Sequence, residues 1–340
     1  MNPKLEFFKI KLITRKNEFK TFRDFAVEVL GAGKKAIDKT IFEKLHKHFI
    51  QSFKEDYSKN DKMQKRIYIE ANKTINKHLD KKPNFNTSNF TISGVINGGK
   101  YGTDRAISNN DDENDSSSLG TNKTVASYFF IYLYLPPDHD EGFFMIHSNS
   151  KEDNISNILK EFFANLFKHE PYLRARITEF CPQTFQDEFF KGSTIKKLIF
   201  ENNFVDNVSN KHGVSSLLNE FHIRIEAIPK SKDISSRNIN DVIDAIKNNI
   251  FGTSTKTKKL SEFNTKKTTL SGDFDGGSKT LNWDLSDNDF VPVVYLKDRI
   301  SEVNSDGTPD FVALKEFCDN IFFDEILPEI RPDLDVSKTD

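Results

Sequence analysis

A continuous apolar and aromatic segment, residues 128–135 (YFFIYLYL), constrains the fold more than any other part of the chain. It is far shorter than the roughly 18 residues that a membrane span requires, and its aromatic content favours a buried β-strand. Pro136, Pro137 and a short acidic turn follow, before a second apolar segment at residues 143–147. The two segments predict a β-hairpin in which both strands are at least half buried.

Segments with helical and with strand periodicity occur on both sides of this hairpin. Apolar residues recur at helical spacing in residues 41–53, 155–167 and 311–330, whereas residues 5–12 and 221–227 read as strands. The 32 Phe residues supply large apolar area for a core. This order of strands and helices predicts an α+β fold, with mixed or antiparallel sheets and helices packed on one face.

The length of 340 residues exceeds what a single core usually supports and favours two domains. A polar, acidic stretch with almost nothing to bury marks a boundary. The predicted organisation is a basic α+β domain over residues 1–110, an acidic flexible linker over 111–124, a central α+β domain over 125–251, a polar ribbon or loop over 252–282 and an acidic helical C-terminal region over 283–340.

Cysteine usage and the amino terminus indicate the compartment. Cys181 and Cys318 lie far apart, with no neighbour at metal-ligand spacing and too few partners for a disulfide framework. The first residues contain no apolar segment typical of a signal peptide. The sequence therefore predicts a cytoplasmic protein.

The search for catalytic motifs favours binding over catalysis. Asp138, His139, Asp140 and Glu141 crowd metal-capable groups into one turn, with His147 on the next strand. Adjacent residues rarely point at one ion, so a solvated loop is the favoured interpretation. The chain has no Gly-x-Ser-x-Gly elbow, and no Glu-x-Lys of a metal-dependent nuclease stands on a convincing strand. We predict no cofactor and no metal.

The net charge of −2 conceals an asymmetry along the chain. Residues 1–110 hold 23 Lys and Arg against 12 Asp and Glu, or +11, which leaves −13 for residues 111–340. A basic half suggests a surface for a polyanion, and an acidic half could oppose it or bind a basic partner. The two halves could also neutralise each other within one fold.

Basic residues beside glycines or aromatic residues supply candidate phosphate contacts. Gly98 and Gly99 follow a predicted strand and could let backbone N–H groups approach a phosphate, although a flexible hairpin turn is the favoured interpretation. Several cations on one face are enough for salt-sensitive contact with phosphates, and solvated lysines are the alternative. The candidate nucleic-acid contacts are Lys100, Arg105, Lys196, Lys197, Lys230, Lys232, Lys256, Lys258, Lys259, Lys266 and Lys267.

The order of elements in residues 128–250 resembles that of the A component of the phage lambda Rex exclusion system. The shared pattern includes an aromatic strand, a second strand ending near His147, a helix through Phe162, a strand start at residues 192–197 and a later strand at residues 223–225. In outline it also resembles the B component of the Kiwa antiphage system. The resemblance implies a cytoplasmic, dimeric DNA-binding protein of phage defence that acts with a partner, which could be a membrane protein encoded nearby.

The resulting hypothesis is a sequence-independent DNA-binding sensor or effector of a prokaryotic antiphage defence system, a homodimer acting on double-stranded DNA. Two alternatives stay open. One is a divergent metal-dependent nuclease, and the other is a protein-interaction scaffold whose acidic C-terminal region docks a basic partner.

Overall fold

The computed structural model describes most of the chain, in two compact units. The described residues are 3–54, 58–70, 78–109, 111–149, 154–203, 222–230, 234–236, 239–250, 264–274, 277–284, 293–297, 299–304 and 308–334. Unit 1 comprises Met1–Phe180 and Val293–Asp340, and unit 2 comprises Cys181–Pro292.

The strands and helices are numbered here in chain order. The strands are β1 (Lys4–Lys11), β2 (Lys59–Asn60), β3 (Lys65–Tyr68), β4 (Asn84–Asn86), β5 (Thr91–Lys100), β6 (Arg105–Asn109), β7 (Asp112–Leu119), β8 (Val125–Tyr134), β9 (Glu141–Ser148), β10 (Arg176–Phe180), β11 (Ser193–Asn203), β12 (His222–Ala227), β13 (Asn264–Phe274), β14 (Gly277–Asp284) and β15 (Val294–Tyr295). The helices are α1 (Phe22–Glu28), α2 (Asp38–Ser52), α3 (Ser156–Leu166), α4 (Gln183–Gly192), α5 (Ile239–Ile250), α6 (Phe311–Ile321), a π-helical turn (Phe322–Ile326) and α7 (Leu327–Ile330).

Unit 1 is built on a nine-stranded sheet with the order β10-β1-β9-β8-β5-β3-β2, in which β15 also pairs with β1 and β4 with β5. All of these pairs are antiparallel. The predicted hairpin is β8 and β9, which pair from Ile131 with Ile146 to Tyr134 with Phe143. The α+β class and the antiparallel pairing predicted from the sequence are therefore confirmed.

Helices cover both faces of this sheet. On one face, Phe129 and Phe144 belong to the core formed with α1, α2 and α3. On the other face, the rings of Tyr132 and Phe143 lie 5.3 and 6.2 Å from the ring of Phe322 in the π-helical turn. The prediction of helices on one face is thus too narrow for unit 1. Successive residues of a strand point to opposite faces, and both sets are apolar in β8 and β9, so each face requires a cover.

The chain divides after Phe180 and not within residues 111–124. Those residues contain β7, which pairs with β6 as a two-stranded ribbon. On either side of the ribbon, β5 and β8 pair over ten positions, from Thr91 with Tyr134 to Lys100 with Val125. The predicted basic domain and the first part of the central domain therefore share one sheet. A polar segment can form a ribbon without burying side chains, because its backbone groups pair with each other.

The acidic C-terminal region belongs largely to unit 1. Asp310 caps the N-terminus of helix α6, and its side chain accepts hydrogen bonds from the backbone N–H groups of Val312 and Ala313. Leu314 and Cys318 on its inner face are completely buried. None of the helices in the described ranges has the length and apolar character needed to cross a bilayer.

Unit 2 contains a four-stranded antiparallel sheet with the order β12-β11-β13-β14, together with α4 and α5. Leu198, Phe200 and Leu270 form part of its buried interior. The predicted polar ribbon is partly β-structure, because residues 264–274 and 277–284 form β13 and β14, and residues 252–263 lie outside the described residues. Leu270 gives β13 an apolar anchor opposite Ile195 of β11.

Candidate nucleic-acid interface

The glycines predicted to form a phosphate-binding loop are part of a strand. Gly98 and Gly99 lie in β5, between β3 and β8. A Cβ atom on Gly99 would come within 1.7 Å of the Val125 carbonyl oxygen, so glycine is needed there for close strand packing. Lys100 ends β5 with an exposed side chain, and Arg105 begins β6. The expected turn starts only at Gly102, where φ is +87°.

The other predicted cations that the structure describes belong to unit 2. Lys196 and Lys230 are exposed, and Lys197 forms an ion pair with Glu226 at 3.3 Å. The backbones of Lys266 and Lys267 lie in β13. Lys232, Lys256, Lys258 and Lys259 lie outside the described residues. The predicted contacts are thus divided between the two units.

Unit 1 carries a concave basic surface that the sequence did not single out, at the C-terminal end of α2 beside β3. We call it the basic groove. It consists of two adjoining pockets, of about 690 and 620 Å³, that share Lys54 and Arg66. The first is lined by His46, Ile50, Phe53, Lys54, Arg66, Tyr68, Ile69, Glu70, Lys82 and Pro83. The second is lined by Lys54, Ser58, Lys59, Arg66, Tyr101, Gly102, Thr121, Asn122 and Thr124.

Local sequence patterns explain why these side chains line the groove. In α2 the apolar face, including Leu45 and Phe49, is buried, and exposed Lys54 follows the end of the helix. In β3 the buried residue is Ile67, so Arg66 and Tyr68 on either side of it point away from the core. Amphipathic periodicity thereby places cations and an aromatic ring together at one edge of the sheet.

The charge of the groove is strongly unbalanced. Lys54, Arg66 and Lys82 form no ion pair with any residue in the described parts of the chain. Glu70 is the one carboxylate that lines either pocket among those residues. A concave surface with excess positive charge favours an anionic ligand.

Each pocket holds a tyrosine next to a cation. The guanidinium carbon of Arg66 lies 5.2 Å from the ring centre of Tyr68. Lys59 Nζ lies 4.9 Å from the ring centre of Tyr101 and 2.9 Å from an Asp61 carboxylate oxygen. The Tyr101 hydroxyl donates a hydrogen bond of 2.6 Å to Asp61. Desolvation, together with this bond, raises the pKa of Tyr101 to about 12, so the phenol stays protonated at neutral pH.

The histidine of the groove adds no charge at neutral pH. The ring of His46 lies 4.5 Å from that of Phe85, and its Nε2 is buried without a hydrogen-bond partner in the described structure. Burial lowers the pKa of His46 below its usual 6.5, and a hydrogen bond with the Pro83 backbone only partly offsets this effect. The positive charge of the groove therefore comes from Lys and Arg and is independent of pH near neutrality.

The acidic turn after β8 is engaged in ion pairs. Asp138 accepts two hydrogen bonds from Arg331, at 3.1 and 2.8 Å. Lys11 Nζ lies 2.6 Å from Glu141 and 3.6 Å from Asp140. Within the described residues, no group of three His, Cys, Asp or Glu side chains is arranged to hold a metal ion.

His147, the other metal-capable residue predicted here, lies inside unit 1 on β9. Its side chain is fully buried, and neither ring nitrogen has a hydrogen-bond partner in the described structure. Burial lowers its pKa to about 4, although Asn149 acts in the opposite direction. The ring lies 6.1 Å from that of Phe311, the first residue of α6, so it packs as a neutral core residue.

Three comparisons with known proteins found no match for this chain. No family model matches it, and neither a curated protein nor a solved structure does. The resemblance to the Rex and Kiwa components therefore stays a hypothesis.

Proposed function

We propose that this protein is a sequence-independent DNA-binding protein that contacts phosphates through the basic groove. The observation that supports this proposal is the set of three groove cations without an ion-pair partner among the described residues, Lys54, Arg66 and Lys82. Bound phosphates would supply the missing negative charge and release counterions from the nucleic acid.

The biological setting is proposed on the resemblance alone. On that basis the protein acts in the cytoplasm as a homodimeric sensor or effector of antiphage defence, with a membrane-protein partner encoded nearby. Phosphate contact without base reading suits such a role, because it does not depend on the sequence of the invading DNA.

The test is to measure affinity as a function of salt. Labelled DNA of two unrelated sequences should bind equally, and the affinity should fall roughly 20- to 40-fold between about 50 and 200 mM salt if three phosphates are contacted. The double variant Lys54→Glu/Arg66→Glu should abolish most of this binding. The double variant Lys34→Glu/Lys35→Glu is the matched control, because it makes the same change in charge at two exposed sites outside the groove. Binding that is unchanged in the double variant would exclude the groove.

The alternatives have less support. A metal-dependent nuclease requires converging carboxylates, and no such group occurs in the described residues. The scaffold, in which the acidic C-terminal region docks a basic partner, stays an alternative. Incubation of plasmid DNA with Mg²⁺ or Mn²⁺ tests the nuclease, since cleavage would replace simple binding.

A further inference from the structure

We infer that the basic groove binds single-stranded nucleic acid, with bases stacking on Tyr68 and Tyr101 and phosphates contacting Lys54 and Arg66. This inference rests on the proposed function and specifies the form of the ligand. It differs from the duplex expected from the sequence.

The shape of the groove is the first reason. Pockets of about 690 and 620 Å³ are within the range that encloses a small molecule. A duplex carries its phosphates on a convex outer surface and keeps its bases stacked inside, so it would reach the rim of such pockets but could not fill them. A single strand can turn its bases into the pockets one at a time.

The distribution of side chains between the two pockets is the second reason. Tyr68 lies in the first pocket, Tyr101 lies in the second, and Lys54 and Arg66 line both. Proteins that bind single strands combine aromatic rings with a basic groove, because every base has a π-face and every nucleotide a phosphate. In each pocket a cation lies over one face of the tyrosine ring, so a base that stacks on the other face would hold its phosphate within reach of that cation.

The chemistry of the tyrosines is the third reason. Tyr101 is held in place by its hydrogen bond to Asp61, and Tyr68 is only half buried, so part of its surface is open to the pocket. Neither ring belongs to the buried core of unit 1. Stacking on such rings is tolerant of sequence and agrees with binding that does not read bases.

The experiment compares two DNA forms and a set of variants by fluorescence anisotropy. The full-length chain is titrated against labelled oligo(dT) and against a mixed-sequence duplex of equal length at one fixed salt concentration. We expect the single strand to bind more tightly. Tyr68→Leu should weaken single-strand binding about 5- to 150-fold, the range that base stacking gives, whereas Tyr68→Phe should retain it. Phe19→Leu removes an exposed ring outside the groove and is the control.

The outcomes separate this inference from the proposed function. Tighter binding of the duplex, with no effect of Tyr68→Leu, would overturn the single-strand inference and leave DNA binding intact. Single-strand binding that depends on Lys54 and Arg66 but not on Tyr68 would overturn the stacking mechanism. No binding of either form would overturn both proposals. Circular dichroism of each variant shows whether it is folded. If Tyr68→Leu does not fold, Tyr68→Phe still tests the mechanism, because loss of single-strand binding in that variant would exclude stacking on the ring.

Discussion

The unpaired cations of the basic groove in unit 1 and the two cations beside Glu226 on the sheet of unit 2 differ in how far they are neutralised. On unit 2, Arg224 lies 2.7 Å from Glu226, and Lys197 lies 3.3 Å from the same carboxylate. In the groove, three cations have no ion-pair partner in the described residues. Lysines near a turn or strand are therefore a poor guide to a binding surface, because carboxylates on a neighbouring strand decide which charges are available to a ligand.

The two units also differ in their cores. Unit 1 buries both faces of its sheet, and many of its largest buried side chains are phenylalanines. In unit 2, β13 reads NTKKTTLSGDF, and its apolar contribution to the described interior comes from Leu270. The one tryptophan of the chain, Trp283, lies in β14 of unit 2. Its fluorescence can therefore follow unit 2 while far-UV circular dichroism follows the whole chain.

The largest effect is expected from truncating the aromatic core of unit 1. Phe163 is fully buried, with its ring 4.4 Å from that of Phe144 and 6.0 Å from that of Phe49. Phe163→Ala should lower the free energy of unfolding by about 3 to 5 kcal/mol, through lost apolar contact and a cavity. In a urea titration the midpoint of the circular dichroism transition should move to lower urea concentration, while the midpoint of the Trp283 fluorescence transition stays in place.

Phe19→Ala is the control for this prediction, because that ring is exposed, and it should change stability by less than about 0.5 kcal/mol. If Phe163→Ala moves both transitions together, the two units unfold as one, and the comparison of separate cores fails.

The next effect is a pH dependence specific to unit 1. The pKa of His147 is lowered from 6.5 to about 4 by burial, so between these values the unfolded chain binds a proton that the folded chain does not. The free energy of unfolding therefore has its full value above pH 6.5. It falls by on the order of 3 kcal/mol as the pH drops toward 4. His147→Leu should flatten this profile in urea titrations between pH 7 and 4. Phe19→Leu, which removes an exposed side chain that does not titrate, should retain the wild-type profile.

The sequence predicted those parts of the fold that depend on local periodicity. The hairpin of β8 and β9 and helices α2, α3 and α6 all follow from runs of apolar residues at regular spacing. Outside this hairpin the partners of the strands could not be predicted, because the pairing of β5 with β8, for example, depends on contacts between segments that the β6 and β7 ribbon separates. Nor does periodicity alone show that α6 returns to cover the second face of the unit 1 sheet.

The candidate site was predicted in general terms only. The excess of positive charge in residues 1–110 pointed to the half of the chain that contains the groove. The individual residues were missed, because Lys54, Arg66 and Tyr101 meet only through folding. A usable signal was present in the short segment 65–68 (KRIY), where a cation and an aromatic residue lie on either side of a buried position.

A smaller difference in stability is expected between variants that remove an arginine from unit 1 and from unit 2. Arg331 in unit 1 is 3 % exposed and lies 2.8 Å from both Asp138 and Asp333, whose carboxylates are more than half exposed. Arg331→Leu should lower the free energy of unfolding in a urea titration by about 1 to 3 kcal/mol. This loss is smaller than for a fully buried ion pair, because the two carboxylates regain contact with water. Arg224→Leu on unit 2 removes a more solvated head group and should leave the Trp283 transition nearly unchanged. Equal shifts for the two variants would contradict this distinction.

The smallest effect tests the comparison of charges directly. If Glu226 keeps Lys197 and Arg224 from acting on phosphates, Glu226→Gln should release Lys197 and leave Arg224 with its longer contact to Glu201, at 3.7 Å. The affinity for DNA should then rise about two- to threefold at low salt, with the gain vanishing near 200 mM. Asp187→Asn is the matched control, because it makes the same change in net charge on unit 2 while Asp187 is bonded to Gln183 and not to a cation. An equal gain in both variants would mean that net charge, and not the release of paired cations, governs binding. Neutralisation would then no longer explain the difference between the groove and unit 2.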